Sequence, residues 1–159
     1  MYLLLGLGAN LGDPQNALTA ALEAIAALPH TRVSRVSGRY LTAPVGYADQ
    51  PPFVNLVAEV ETDLSPEAML GACLGIEAAM GRQRPFKNAP RVIDIDLLLA
   101  EGFTKNSPEL TLPHPRMAER AFVLVPLEEL CPDGNWRGND LSAAMAAVDR
   151  SQIFDRLDD

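Results

Sequence analysis

The sequence has little cysteine, and its two cysteines are far apart. Cys73 and Cys131 form no CxxC pair or other metal-binding spacing, and Cys73 lies within an apolar helical pattern. We therefore expect two buried free thiols and no structural zinc site. This use of cysteine is typical of a reducing, cytoplasmic setting.

Long hydrophobic runs are also absent. No apolar segment reaches the roughly 18 residues that a membrane-spanning helix needs, so no membrane partner is expected. The opening MYLLLGLGANLGD lacks a basic stretch and soon becomes glycine-rich, which predicts a first strand and not a signal peptide. With 159 residues, of which 48% are hydrophobic, residues 1–159 are expected to form one domain with a proper core.

Positive charge is scarce overall but concentrated in one region. Thirteen Lys and Arg residues against 21 Asp and Glu residues give a net charge of −8, which argues against a nucleic-acid partner. Seven of the thirteen cations lie between positions 82 and 120: Arg82, Arg84, Lys87, Arg91, Lys105, Arg116 and Arg120. An acidic protein that gathers its cations in this way is expected to bind a small polyanion there.

The hydrophobic pattern predicts the element order β-α-β-β-α-β over the first hundred residues. Strands are predicted at 2–7, 32–40, 53–61 and 90–99, and helices begin at the Asp13-Pro14 and Ser65-Pro66 signals. In the second helix, Leu70, Leu74, Ile76 and Met80 are expected to face the core. This order predicts a ferredoxin-like α+β fold, with an antiparallel sheet, helices packed on it and a small C-terminal extension.

Two loops are longer than the usual connection of about 4–6 residues. Residues 42–52 read TAPVGYADQPP, and residues 82–90 read RQRPFKNAP. Both contain proline, aromatic and charged residues in place of the serine and glycine of a simple linker. We therefore expect both loops to have a function, and the basic loop to be a lid over bound phosphates.

The segment PRVIDIDLLL places two carboxylates inside a strand that is otherwise apolar. In an extended strand Asp94 and Asp96 share one face, whereas Ile93, Ile95, Leu97 and Leu99 share the other. The pair could lie on a solvated face, but it follows a strongly basic loop. Carboxylate pairs suit Mg²⁺, and cations beside a metal site are typical of phosphoryl transfer.

The remaining motifs carry weaker signals. His114 lies between two prolines in LPHPR, where either a packing role or a ligand contact is open. The glycines at positions 6, 8 and 12 do not match a dinucleotide-binding fingerprint, and no Walker A sequence is present.

Four segments together resemble one enzyme family. They are GLGANLGD, TAPVGYADQPPFVN, GRQRPFKNAPRVIDIDLLL and TLPHPRMAERAFVLVPL, in that order, and they span residues 5–127. They resemble the hydroxymethyl-dihydropterin pyrophosphokinases of folate biosynthesis. The resemblance implies transfer of pyrophosphate from ATP to the hydroxymethyl group of 6-hydroxymethyl-7,8-dihydropterin, with release of AMP.

The resemblance also implies a role for individual residues. Asp94 and Asp96 would hold two Mg²⁺ ions, and with Arg82 and Arg91 they would form the catalytic set. The implied ATP site comprises Glu77, Arg84, Arg91, Thr111, His114, Pro115, Arg116 and Arg120. The implied pterin slot comprises Thr42, Pro44, Val45, Gly46, Phe53, Asn55 and Phe122.

Some positions depart from the family's pattern, and two other functions remain open. Asn88 replaces a tryptophan found in some relatives, Leu74 a polar residue, and Glu109 an arginine, which affects single ATP contacts. A different Mg-ATP phosphotransferase would release ADP in place of AMP, and a non-catalytic ferredoxin-like module would bind ligand without turnover. A monomer is expected.

Overall fold

The computed structural model of the protein describes residues 1–46, 48–81 and 91–157. Its main sheet contains β1 (Tyr2–Ala9), β2 (Thr31–Val36), β3 (Arg39–Thr42), β4 (Phe53–Thr62), β5 (Asp94–Ala100) and β10 (Ile153–Leu157). Two short hairpins are formed by β6 (Lys105–Asn106) with β7 (Thr111–Leu112) and by β8 (Asn135–Trp136) with β9 (Asn139–Asp140). The helices are α1 (Pro14–Ala26), α2 (Pro66–Ala79), α3 (Ala121–Leu130) and α4 (Ser142–Ala147).

The main sheet is antiparallel, and its strand order is β10-β3-β4-β1-β5, with β2 also paired to β4. The predicted βαββαβ core and its antiparallel sheet are therefore confirmed. Apolar side chains fill both faces of the sheet. One face packs against α1 and α2, and the other packs against α3, α4 and Trp136.

Both predicted helix starts are confirmed by their capping bonds. The Asp13 carboxylate accepts a hydrogen bond from the Asn16 backbone N–H at 3.1 Å, and Pro14 occupies the first helical turn. Ser65 caps α2 in the same way, through the backbone N–H of Ala68. Cys73 and Cys131 are buried free thiols, as predicted. Within the described residues, no helix combines the length and apolar character needed to cross a membrane.

The predicted strand at 32–40 is two strands, because the chain bends at Ser37 and Gly38. Ser37 accepts a hydrogen bond from the Val57 backbone through its hydroxyl, and its own N–H donates to the Val57 carbonyl. Val57 lies on β4 between the residues that pair with β2 and the residues that pair with β3, so these bonds hold the chain against β4 where neither strand pairs with it. Here a serine hydroxyl accepts a hydrogen bond that a backbone carbonyl accepts in a regular pair of strands. The alternation of apolar residues in the sequence does not reveal such a substitution.

Two predicted side-chain directions were wrong. Leu74 is 52% exposed, because the buried face of α2 follows Met69, Cys73 and Glu77 at intervals of four residues. Leu99 does not share a face with Ile95 and Leu97, since the register of β5 against β1 shifts by one residue after Leu97. This bulge turns Leu98 and Leu99 towards the α3 layer.

A buried carboxylate ties the C-terminal part of the chain to the central strand β4. Glu59 is 1% exposed and accepts hydrogen bonds from Ser34, Arg35, Trp136 and Arg137 at 2.8–3.3 Å. Burial by itself would raise the pKa of Glu59, but these donors outweigh it and lower the pKa to about 2. The ionised form of Glu59 is therefore part of the folded state.

We predict that Glu59→Gln lowers the free energy of unfolding by roughly 1–3 kcal/mol, because the buried amide cannot accept all the hydrogen bonds that Ser34, Trp136 and the two arginines donate to the carboxylate. The change in the urea unfolding midpoint measures this effect. Glu61→Gln is the control, since Glu61 lies on the same strand but pairs with Arg32 at the surface. The control should leave the midpoint nearly unchanged.

The same pair of proteins has a predictable pH dependence. Since the pKa of Glu59 is lowered, its contribution to stability is complete above its ordinary value of 4.5 and is lost as the pH falls towards 2. The difference in stability between the wild type and Glu59→Gln should shrink over this interval. A difference that stays constant down to pH 2 would contradict the assignment.

Candidate active site

An open cavity of about 200 Å³ lies at one end of the main sheet. Because the strands are antiparallel, this end collects the last residues of β1 and β3 and the first residues of β4 and β5. The beginning of α3 closes the cavity from above, through Arg120 and Phe122. Segments far apart in the sequence therefore meet in one place.

The floor of the cavity depends on two glycines in β1. Gly8 pairs with Asp94 on one side and Asn55 on the other, and Gly6 pairs with Asp96. A Cβ atom at Gly8 would overlap the amide oxygen of Asn55. The strand predicted at 2–7 extends to Ala9, so Gly8 lies inside it, where a glycine marks a close approach.

Asp94 and Asp96 both line the cavity, as the alternation in β5 predicted. Asp94 is 15% exposed and accepts a hydrogen bond from Nη1 of Arg91 at 3.1 Å, whereas Asp96 is 34% exposed and lies 3.9 Å from Nη1 of Arg120. Partial burial and the neighbouring charge of Asp94 raise the pKa of Asp96 to about 6. The two carboxylates are therefore close enough to repel each other.

Arg120 has an incomplete set of partners among the described residues. Its Nε atom is buried and has no hydrogen-bond acceptor there, and burial lowers the pKa of the guanidinium. The guanidinium lies 5.3 Å from the centre of the Phe122 ring. An unpaired buried donor costs about 1–3 kcal/mol, so this one is suited to an anionic ligand that would satisfy it.

Apolar side chains line another part of the cavity. Phe53 and Phe122 contribute aromatic rings, and Val45 and Ala43 contribute aliphatic surface. Asn55 is buried and donates through Nδ2 to the Thr42 hydroxyl at 2.7 Å, which fixes the orientation of its amide. This combination suits a planar ring with hydrogen-bonding groups on its edge.

His114 lies on the basic side of the cavity, together with Arg116 and Arg120. Its Nδ1 atom accepts a hydrogen bond from the Arg116 backbone N–H at 3.1 Å, so Nε2 carries the proton of the neutral ring. Burial, and then the charge of Arg120, lower the pKa of His114. The neutral imidazole can donate one hydrogen bond without adding charge.

Asn10 organises the cavity but was not predicted from the sequence. It is 3% exposed, its Oδ1 accepts from the Arg91 backbone at 2.8 Å, and its Nδ2 donates to Gln50 and to the Pro51 carbonyl. It thus joins the loop before β4 to the segment that leads into β5. The only sequence signal is an amide residue directly after a strand.

Eleven of the predicted site residues line this one cavity, together with the unpredicted Gly8 and Ala43. The eleven are Thr42, Val45, Phe53, Asn55, Arg91, Asp94, Asp96, His114, Arg116, Arg120 and Phe122. Pro44, Gly46, Glu77, Thr111 and Pro115 are not among the lining residues, and their roles stay predictions. Arg82, Arg84 and Asn88, with the whole predicted lid, lie outside the described residues.

Glu77 lies behind the carboxylate pair and not in the cavity. It is 3% exposed, and its Oε2 accepts a hydrogen bond from the Ile95 backbone N–H at 2.7 Å. Since β5 is an edge strand, this bond satisfies a backbone donor that the sheet leaves unpaired. Glu77 also contributes to the raised pKa of Asp96.

The donor set fits a Mg²⁺ site that substrate oxygens complete. Mg²⁺ typically takes one or two protein carboxylates and fills its other positions with phosphate oxygens and water. Asp94 and Asp96 supply such a pair at the cavity wall. In the part of the chain that the structure describes, no group of three or more His, Cys, Asp or Glu residues could hold a metal by itself.

The sequence was found to be similar to a known protein family and to several of its members. Residues 4–132 match the family model of 7,8-dihydro-6-hydroxymethylpterin-pyrophosphokinase. The chain belongs to this family. A relative from Methylorubrum extorquens, named 2-amino-4-hydroxy-6-hydroxymethyldihydropteridine pyrophosphokinase, is 46% identical over 94% of this chain and 94% of its own length. One from Pseudomonas aeruginosa with the same name is 46% identical over 80% of this chain and 78% of its own length.

Solved structures of the family share the fold. A Plasmodium falciparum HPPK-DHPS triple mutant with pteroate superimposes with a TM-score of 0.69 at 17% identity, and covers 91% of this chain. An HPPK-DHPS in complex with substrates gives a TM-score of 0.67 at 12% identity, over 92% of this chain. This chain spans 42% and 45% of the length of those two proteins.

We predict that Asp96→Asn raises the stability of the metal-free protein. The substitution removes one of two adjacent charges while keeping the shape of the side chain, and each kcal/mol gained raises the Tm by roughly 2–4 °C at this chain length. Thermal unfolding at pH 7.5 with EDTA measures the change. The exposed control Asp63→Asn should leave Tm unchanged, and a loss of stability in Asp96→Asn would mean that the pair supports the fold.

Proposed function

We propose that this protein transfers the pyrophosphoryl group of ATP to the hydroxymethyl group of 6-hydroxymethyl-7,8-dihydropterin, as a step of folate biosynthesis. The products are the pterin diphosphate and AMP. The observation that carries the proposal is the single cavity in which two carboxylates and several cations adjoin an aromatic slot. Membership of the pyrophosphokinase family supports the same reaction.

The aromatic half of the cavity is suited to the pterin. In our proposal Phe53 and Phe122 stack on the two faces of the ring, and Asn55 reads its polar edge. The hydrogen bond to Thr42 supports this role, because it leaves the Asn55 amide in one orientation before the ligand arrives. Gly8 supports it too, since a side chain there would displace Asn55.

The charged half is suited to the triphosphate. The pterin hydroxyl attacks the β-phosphorus and loses its proton, and the bond between the β-phosphorus and the α,β-bridging oxygen breaks to release AMP. In our proposal Arg82 and Arg91 stabilise the charge that develops in this step, while Arg84, Arg116, Arg120 and His114 hold the nucleotide. The unpartnered Nε of Arg120 supports an anion at this point.

In our proposal Asp94 and Asp96 hold two Mg²⁺ ions together with oxygens of the substrates. When bound, the ions would neutralise phosphate charge and make the β-phosphorus more electrophilic. The cation partners of Asp94 and Asp96 support this placement, because Arg91 and Arg120 offset part of the negative charge of the pair. By holding the ions, Asp94 and Asp96 would keep the phosphates beside the aromatic slot.

We also propose a cytoplasmic monomer as the active form. The carboxylate pair, its neighbouring cations and both aromatic rings meet within one copy of the chain, which supports a monomeric active form. Two buried free thiols fit a reducing compartment.

The deciding experiment is an assay with ATP, Mg²⁺ and 6-hydroxymethyl-7,8-dihydropterin that follows AMP. We expect AMP and the pterin diphosphate in equal amounts, with no turnover in EDTA or in Asp96→Asn. Release of ADP would instead identify a different phosphotransferase. Binding of both ligands without any product would identify a non-catalytic module.

A second prediction concerns the two aromatic walls. Stacking contributes roughly 0.5–1.5 kcal/mol per aromatic ring beyond the area it buries, so Phe53→Ala and Phe122→Ala should weaken pterin binding by about tenfold or more. ATP binding should change little, and titration calorimetry with each ligand measures both affinities. The exposed Phe154 is the control, and equal losses for ATP and pterin would place the two rings in the core and not in the slot.

A further inference from the structure

We propose that the C-terminal strand β10, through Arg156, sets the geometry of the pterin slot. The strand lies beyond residues 4–132, which the family model matches. This inference rests on the proposed function, because it concerns how the slot is positioned. Arg156 does not line the cavity, so it is assigned as a positioning residue and not a catalytic one.

The first connection runs through the backbone. Strand β10 pairs with β3, and Ile153 lies opposite Thr42. The carbonyl of Gln152 accepts a hydrogen bond from the Ala43 N–H at 2.8 Å. Thr42 and Ala43 both line the cavity, and Thr42 also holds the amide of Asn55. One wall of the slot is therefore paired directly with the C-terminal segment.

The second connection runs through Glu129 near the end of α3. Its carboxylate accepts hydrogen bonds from the Gly38 N–H at 2.8 Å, from the Tyr40 hydroxyl, and from Nε and Nη2 of Arg156 at 2.9 and 3.3 Å. Burial alone would raise the pKa of Glu129, but these donors lower it to about 2. The cluster of Gly38, Tyr40, Glu129 and Arg156 thus joins β3, α3 and β10.

This cluster spans the two walls of the slot. Tyr40 and Thr42 are two residues apart on β3, so their side chains share one face. Glu129 and Phe122 are seven residues apart on α3, a distance of about 10 Å along the helix, which contains Pro126 between them. Because Glu129 ties these elements together, it sets the separation between the Thr42–Asn55 wall and the Phe122 wall.

The contacts of Arg156 favour positioning over bulk stability. The Arg156 and Glu129 side chains are 52% and 28% exposed, and ion pairs of this kind contribute little to stability. The bidentate geometry, however, fixes direction as well as distance. Space near the guanidinium is limited too, since a Cβ atom at Gly38 would overlap it. Loss of Arg156 should therefore weaken pterin binding measurably while it leaves the Tm nearly unchanged.

The chain offers a matched control in Arg150. This residue also lies in the C-terminal segment and also pairs with an acidic residue of α3, Glu128, at 2.6 Å. It also donates to the Met145 carbonyl at 2.9 Å, and neither of these hydrogen bonds among the described residues reaches β3. Arg150→Ala removes a similar ion pair from the neighbouring helix residue without touching the Glu129 cluster.

The test measures pterin and ATP dissociation constants, with Mg²⁺, for the wild type, Arg156→Ala and Arg150→Ala. We expect Arg156→Ala to weaken pterin binding by roughly 5- to 10-fold, since a misplaced wall loses contact with a rigid ring, and to leave ATP binding within about twofold. Arg150→Ala should leave both constants unchanged. Unaltered pterin affinity in Arg156→Ala, or equal effects of the two variants, would overturn the inference.

A second variant keeps the test valid where Arg156→Ala does not fold. Tyr40→Phe removes only the hydroxyl that donates to Glu129 and keeps the buried ring, so it should weaken pterin binding in the same direction. Unchanged pterin affinity in a folded Tyr40→Phe would overturn the inference. Absence of pterin binding by the wild type would overturn the proposed function itself, and this inference with it.

Discussion

The antiparallel pairing of β1 with β5 is the constraint on which the site depends. It places Gly8 and Gly6 opposite Asp94 and Asp96. Gly8 lines the cavity and has no side chain, so it leaves the cavity floor open between the two neighbouring strands. The same glycine leaves room for Asn55 on the next strand, which is why an aromatic slot and a charged pocket can share one floor.

Among the described residues, the positive and negative charges that line the cavity do not offset one another fully. Arg91 and Arg120 offset the charges of Asp94 and Asp96, but the Arg120 pair is long at 3.9 Å and the pKa of Asp96 remains raised. Elsewhere the protein satisfies buried carboxylates fully, as at Glu59, whose pKa is about 2. This difference in pKa distinguishes Glu59, which stabilises the fold, from Asp96, which faces the cavity.

Two acidic residues connect the C-terminal segment to the main sheet and to α3. Glu59 binds Trp136 and Arg137, and Glu129 binds Arg156. Both carboxylates belong to elements that also carry site residues, β4 with Asn55 and α3 with Phe122. The segment after residue 132 is therefore joined to the cavity through charge pairs and strand pairing, although none of its residues described by the structure, up to Leu157, lines that cavity.

The sequence by itself determined the fold class, the helix starts and most of the site. Local signals were sufficient for these: caps precede α1 and α2, apolar residues alternate in the strands, and Asp94 and Asp96 alternate with Ile95 and Leu97. The four matching segments supplied the residues of the slot, because such segments keep the order and spacing of a family even when they are distant in the chain.

Only the tertiary structure decided which residues meet. The break at Ser37, the bulge after Leu97 and the exposure of Leu74 depend on neighbouring strands and helices, which no local pattern records. The same holds for Gly8, Asn10 and Glu129, whose partners lie between 27 and 91 positions away in the chain. Their roles come from hydrogen bonds and close approaches that exist once the sheet is assembled, since each needs a partner that folding brings into reach.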